Sequence, residues 1–340
     1  MLVNRTLAVV FATLLSATAA RSAPKDAAPD PKDLISHALQ QEYLWTEGTP
    51  PLFLHGELQL WDAKGAVAKG EYTYHWVSPS RWREEIRFVN YQRVRVGDAE
   101  GYWQKSGIDY EPQPIFKLEM VLKLKDAVQV GAKQTLSKVR TREEGGKRQQ
   151  CTEIRWSSAT DRDLCFDQGT GTLASVDFIR PNYQHEPEIT RLEYGAFAPL
   201  GGKLVAHEVR ALRGTKMVAS IKIVELAEGP QADPGLFVPP EGAAHWARCA
   251  EAENRELLTS SAPQYPSEAK EKLQQGRVIH YAVVEGDGTL SHITLIQGAA
   301  PLLDAVTGQA LKDWHYKPVT CGQEPARTEL SIPIDFFLSE

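Results

Sequence analysis

Alternation with a period of two, running from Leu52 to Leu226 with one break, constrains this chain more than any other feature. Leu52, Leu54, Leu58 and Leu60 alternate with Phe53, His55, Glu57 and Gln59, and Tyr72, Tyr74 and Trp76 alternate with Glu71, Thr73 and His75. Residues 81–88 and 93–96 continue the pattern, and it returns at 149–156, 163–166, 173–179, 189–196, 204–212 and 217–226. Successive side chains of a strand point to opposite faces, so each segment carries one face that must be buried. Strands joined by turns as short as 62–70 and 77–80 predict an antiparallel meander. Two helices are expected against it. One covers 33–47, with Leu34, Ala38 and Leu39 on one face. The other is an insert over 115–129, with Ile115, Leu118, Val121, Leu122 and Val128 at helical spacing. Pro230 to Pro240, with Asp233-Pro-Gly235 and Pro239-Pro240, ends this unit. The expected class is α+β: over 32–240 a strongly curved antiparallel β half-barrel with packed helices, followed by a smaller domain.

A linker over 241–260 leads to that smaller domain, residues 261–340. The total of 340 residues suits two cores. Ser267 to Gln275 reads as a short helix, 277–284 as a strand, Asp287-Gly288 as a tight hairpin turn, and 290–296 as the returning strand. Pro301 opens a second helix, where its missing N–H costs nothing, and Leu303, Val306, Ala310, Leu311 and Trp314 line one side of it. Leu330, Ile332, Ile334, Phe336 and Leu338 alternate with Ser331, Pro333, Asp335 and Phe337. The result is two helices on a three-stranded antiparallel sheet. Proline cannot donate to a ladder and is tolerated only at an edge or a bulge, so Pro333 makes the last strand a candidate for one of the sheet's two edges.

The first residues read as an export address. Arg5 supplies a positive start, 7–20 form a short apolar run, and Ala17-Thr18-Ala19 fits a cleavage site, giving a signal peptide over 1–20 and a leader over 21–31. The rival reading is an uncleaved anchor, although the run is shorter than the roughly 20 residues that span a bilayer. Four cysteines suit an oxidising destination. Cys151 and Cys165 flank an expected hairpin turn at 157–161, which pairs them locally and leaves Cys249 for Cys321. Neither CxxC nor clustered His accompanies them, so a metal site is the weaker reading.

Chemistry is sparse. There is no Gly-x-Ser-x-Gly elbow, His-Glu-x-x-His, phosphate-binding loop or dinucleotide fingerprint. Gly169-Thr-Gly171 reads as a turn. Asp161, Asp163 and Asp167 lack the spacing of a calcium loop. A formal net charge of −6, with six basic against ten acidic residues beyond Ser261, argues against nucleic acid as a partner. Neither a cofactor nor catalysis is expected.

Ala262-Pro-Gln-Tyr-Pro-Ser-Glu-Ala269, Gln275-Gly-Arg-Val278, Asp287-Gly288 and Asp313-Trp-His-Tyr-Lys-Pro318 together resemble the C-terminal domain of the TonB family. That resemblance implies a partner, an outer-membrane receptor or another envelope protein, that adds a short strand beside the last strand. The contact residues it implies are Gln264, Tyr265, Pro266, Leu330, Ser331, Ile332, Pro333, Ile334 and Phe336. It also leaves a homodimer by strand exchange open. A transducer of that family keeps a membrane helix and a long Pro-rich spacer, whereas here a folded domain stands in the spacer's place. The N-terminal architecture is similar to the lipoprotein carriers of the LolA and LolB type, which implies an apolar, lipid or lipoprotein ligand lined by Trp61, Trp76, Trp82 and Trp103. The plainer reading has those rings filling a sheet–helix interface. The expectation is a periplasmic binding protein. A lipid or lipoprotein carrier and an anchored energy transducer are the alternatives.

Overall fold

The computed structural model describes residues 29–62, 64–106, 122, 124–156, 159–181, 187–229, 233–253 and 255–338. The signal peptide, most of the leader and the first part of the helical insert lie outside the described residues.

The alternating segments build one large curved antiparallel sheet from two meanders. The first is β1 (Leu52–Trp61), β2 (Val67–Ser78), β3 (Arg81–Phe88), β4 (Tyr91–Gly97) and β5 (Gly101–Ser106). The second is β8 (Lys147–Trp156), β9 (Ala159–Asp167), β10 (Leu173–Pro181), β11 (Pro187–Leu200), β12 (Lys203–Arg213) and β13 (Lys216–Glu228). The short β6 (Gln134–Leu136) and β7 (Arg140–Glu144) both pair with β8. The meanders meet along a single seam, β1 against β13, with Leu54 opposite Leu226 and Leu58 opposite Ile221. Along that seam β13 carries one extra residue, Val224, which is left exposed. Such a bulge shifts the inward set from Ala219, Ile221 and Ile223 to Leu226 and deepens the local curvature.

The concave face holds the core, where Leu54, Leu58, Tyr72, Ile86, Leu164, Phe166, Leu192 and Ile221 are buried together. Helix α1 (Pro31–Glu42) packs its Ile35 and Ala38 into this face and is capped by the Asp30 side chain, which accepts from the Lys32 amide. It stops five residues before the expected end at Glu47. Tyr43 turns extended, and Leu44 and Trp45 then leave the helical path to pack against Leu52 and Val205. Of the insert, α2 (Leu124–Val128) is described. Arg162 donates to the carbonyls of Ala127 (3.0 Å) and Gln129 (2.7 Å), which that helix end leaves without intrahelical donors.

The segment expected as a linker carries structure of its own. Within it β14 (Ala244–Ala247) pairs with β5 and becomes the terminal strand of the large sheet, and α3 (Ala250–Glu253) and β15 (Leu257–Thr259) follow. The smaller unit comprises α4 (Ser267–Glu271), β16 (Gly276–Val284), β17 (Leu290–Gln297) and α5 (Pro301–Ala310), then β18 (His315–Tyr316), β19 (Thr320–Cys321), β20 (Glu324–Pro325) and β21 (Thr328–Phe336). Its sheet has the order β17-β16-β21, while β18 pairs with β15 and β19 with β20. The turn between β16 and β17 is the expected Asp-Gly. Gly288 has φ +90°, and a side chain there would run into the Tyr316 carbonyl.

Both disulfides form as expected. Cys151 and Cys165 sit directly opposite each other on β8 and β9, with Cα atoms 4.1 Å apart, and Cys249 is bonded to Cys321. No described helix is long and apolar enough to cross a membrane.

Candidate ligand cavity and strand edge

The inward parity of the first meander brings large side chains together over the concave face. Trp76 lies opposite Leu52 on one side and Trp82 on the other, and Tyr74 lies between Leu54 and Glu84. These rings, with the aliphatic floor of Leu54, Val209 and Ile221, line an open cavity of about 650 Å³. Residues just past α1, Pro79 and Arg248 also line it. Trp45, which had no periodicity to mark it, stands edge-on to Tyr74 at 4.7 Å and also lines the space.

Of the four tryptophans singled out in the sequence, Trp76 and Trp82 line this cavity. Trp61 and Trp103 do not. Both have the opposite parity to the inward residues of their strands, Leu60 in β1 and Tyr102 in β5. Trp103 instead donates to Asp98 (3.0 Å) and packs, tilted, against His245 at 4.8 Å. His245 lies with one ring nitrogen 2.9 Å from Glu324 and the other 3.0 Å from Asp98, which ties the large sheet to the C-terminal unit.

From the cavity an aromatic row crosses the sheet: Tyr74, Trp82, Tyr102 and Trp246, with successive centroids 6.0, 6.2 and 6.1 Å apart. Gly97 makes the row continuous, because any side chain there would occupy the space of the Trp82 ring. Trp246 and Tyr102 then pack on Tyr281 and Val283 of β16, so the row ends in the C-terminal sheet.

Charged groups interrupt the concave face where β3 and β4 meet. Glu84 accepts from Arg93 (2.8 Å), which is 1% exposed, and from the Tyr72 hydroxyl (3.3 Å). Burial, followed by the nearby Glu84 charge, holds the Tyr72 phenol well above its ordinary range. Arg95 lines the cavity, donates to Gln104 (2.6 Å) and reaches Glu329 on β21 (3.3 Å), whose other oxygen accepts from Tyr281 (3.0 Å). Cavity wall and last strand thus share an ion pair. Glu42, the last residue of α1, is 4% exposed. One of its oxygens accepts from the Leu173 amide (2.6 Å), and burial outweighs that bond, pushing its acid up from 4.5 to about 8.

The second feature is an edge. β21 pairs with β16 through nine consecutive residue partners, from Gly276 opposite Phe336 to Val284 opposite Thr328, and no described strand pairs with its other side. Among the expected contact residues, Leu330, Ile332, Ile334 and Phe336 pack toward α4, α5 and the residues that follow them, with Ala269, Val278, Leu303 and Leu311. What they present outward is main chain. Ser331, Pro333 and Asp335 take the opposite face. Pro333 is exposed opposite Ile279, and Asp335 pairs with Arg277 at 2.6 and 2.8 Å. Tyr265 stands edge-on to Phe336 at 5.2 Å and donates to the Gln274 carbonyl, which sets Gln264 and Pro266 near the end of β21. Gln264 is exposed. The side chains of the first two residues of β21 are engaged within the chain, Thr328 donating to the Ala252 carbonyl and Glu329 pairing with Arg95.

Sequence reasoning missed Glu42, Tyr194, Arg95 and Glu84 as cavity residues. Arg93 and Arg95 alternate with Val94 and Val96, but all four are buried, so parity alone did not assign a face. Glu42 had no signal, since a helix-terminal Glu reads as solvated. Among the described residues no group of three His, Cys, Asp or Glu is placed to hold a metal ion.

No curated protein matches the sequence. Among solved structures the chain is similar to a putative outer membrane lipoprotein-sorting protein domain from Vibrio parahaemolyticus, at 10% identity and TM-score 0.41, covering 60% of this chain and 94% of that one. It is also similar to a LolA superfamily protein from Nitrosomonas europaea, at 7% identity and TM-score 0.39, covering 61% and 96%. The TonB C-terminal domain of Pseudomonas aeruginosa aligns at 22% identity and TM-score 0.23, covering 25% of this chain and 88% of that domain. The free-edged C-terminal unit, residues 261–338, matches the family of the Gram-negative bacterial TonB protein C-terminal.

Proposed function

We propose that the protein is an exported binding protein of the bacterial envelope that recognises a partner polypeptide by adding its strand to β21 and holds an apolar or lipidic ligand in the N-terminal cavity. The observation that carries the first half is the one-sided pairing of β21. An unpaired edge offers amides and carbonyls to another chain and demands little of that chain's side chains. Leu330 to Phe336, flanked by Gln264, Tyr265 and Pro266, is the contact segment. The match of residues 261–338 to the TonB C-terminal family supports an envelope partner such as an outer-membrane receptor. The second half draws on the aromatic and aliphatic cavity. Recognition involves no bond-making step. In this reading the signal segment is cleaved and the protein is periplasmic.

The test is titration of the full chain with short extended peptides drawn from receptor plugs, followed by amide chemical shifts. Shifts concentrated along Leu330 to Phe336 are expected. Peptide binding that leaves those amides unmoved would remove the edge-pairing role. Sequencing the mature N-terminus separates a cleaved periplasmic protein, starting near Ala20 or Arg21, from an anchored transducer that keeps residue 1.

A further inference from the structure

Two buried polar atoms of the cavity residues have no partner among the described residues. Glu42 Oε2 and the Tyr194 hydroxyl are both shielded from solvent and both unpaired, while the other Glu42 oxygen is occupied by the Leu173 amide. They come from separate elements, α1 and β11, and both residues line the cavity beside an otherwise apolar floor of Val209 and Ile221. A buried polar atom without a partner costs roughly 1–3 kcal/mol, so two on residues that line one cavity, near enough for a Glu42 charge to raise the Tyr194 phenol, mark a subsite with a chemical preference. Among the described residues no cation offsets the burial of Glu42; the Leu173 amide opposes it, and a charge on Glu42 in turn raises the Tyr194 phenol. An uncompensated buried carboxyl keeps its proton, and Oε2 then carries a donor. A tyrosine hydroxyl is a donor as well.

We propose that Glu42 and Tyr194 form a donor pair that binds the carbonyl oxygen of an acyl ester or amide, the hydrocarbon chain of the same molecule lying along the aliphatic and aromatic wall. The inference rests on the cavity half of the function given above and specifies which end of the ligand is read. Burial holds the Glu42 acid at about 8, so the donor is present at neutral pH and is lost as pH rises through that value. Above it, a carboxylate opposes the carbonyl. The other ionisable or charged groups that line this space are Tyr43 and Glu47 beyond α1, Tyr72 and Tyr74 on β2, Glu84 on β3, Arg95 on β4 and Arg248 after β14, while Lys203 on β12 donates to the Gln40 carbonyl of α1. All of them are unchanged in Glu42→Gln, which keeps an N–H donor and removes the acid.

The experiment compares two fluorescent probes on the full protein: a medium-chain fatty acid methyl ester labelled at its far end, and the same labelled chain without the ester. At pH 7 the ester should bind on the order of tenfold tighter, the worth of one or two neutral hydrogen bonds. The preference should shrink toward parity above pH 8, persist at every pH in Glu42→Gln, and fall in Tyr194→Phe, which removes the hydroxyl but keeps the ring. Equal binding of the two probes at pH 7 would overturn the donor pair while leaving an apolar cavity in place. So would an ester preference that survives both Tyr194→Phe and Glu42→Leu, or one abolished only by Arg248→Ala. If neither probe binds, the cavity half of the proposed function falls, and this inference falls with it.

Discussion

The cavity and the strand edge are two ways of presenting a surface, and they depend on sequence in opposite ways. Around the cavity, identity is everything: Trp76, Trp82, Tyr74 and Glu42 matter for ring size, parity and protonation. Along β21 the apolar side chains are turned away into the helices, and what the edge presents outward is backbone. A side-chain site can be tuned by a single substitution. A main-chain site changes mainly through proline, strand length or whatever covers it. The two are still not independent, since Arg95 belongs to the cavity wall and also pairs with Glu329 of β21.

The largest effect expected to sharpen this contrast is on stability. Because the folded protein holds the Glu42 acid near 8 against an ordinary 4.5, the native state binds that proton more tightly than the unfolded chain does. The stabilisation is fully present below pH 4.5 and is lost as pH rises to about 8. The slope is about 1.4 kcal/mol per pH unit, on the order of 5 kcal/mol in all. Chemical denaturation across this range should show the decline in the native protein and a flatter profile in Glu42→Gln. Identical profiles would place the Glu42 carboxyl in water. Next, Trp76→Ala should cost roughly 3–5 kcal/mol, because the ring is 2% exposed and the space it leaves cannot close. Trp103→Ala, on the outer face, should cost clearly less. Equal losses in denaturant melts would mean that parity does not separate cavity from surface. The smallest effect belongs to the edge. Gln264→Ala should change the affinity for an edge-pairing peptide by no more than about twofold, in keeping with exposed positions generally. A tenfold loss in a binding titration would show that the edge is read through side chains after all, and the contrast would break.

The same division explains what could be read before the structure. The C-terminal unit announces itself locally: Asp287-Gly288 at a turn that needs positive φ, Pro301 at a helix start, Pro333 in an edge strand. The large sheet was legible in its alternation, down to Leu52, Leu54, Leu58 and Leu60 facing inward. Non-local events were not legible. Ala244 to Ala247 is too short to show a period, and only its pairing with β5 makes it a strand. Helix α1 ends at Glu42 because Leu44 has a better place against Leu52 and Val205, which no capping residue foretells. The protonated state of Glu42 depends on burial beneath strands more than a hundred residues away. Gly97 is informative only once Trp82 is known to lie across it.

The seam between β1 and β13 sets how the molecule can be assembled. The first strand of the sheet gains β2 at once but waits for its second neighbour until some hundred and fifty residues more have been made, about the separation between Trp61 and Lys216. Each meander can form early from hairpins, but neither half of the concave surface is complete alone. Closing so large a loop is entropically expensive and comes late, so the rate-limiting step of folding should be the zipping of Leu54 and Leu58 onto Leu226 and Ile221. Until then β1 is a bare, leucine-rich border, and a chain stalled at that stage is the form most prone to stick to its own copies.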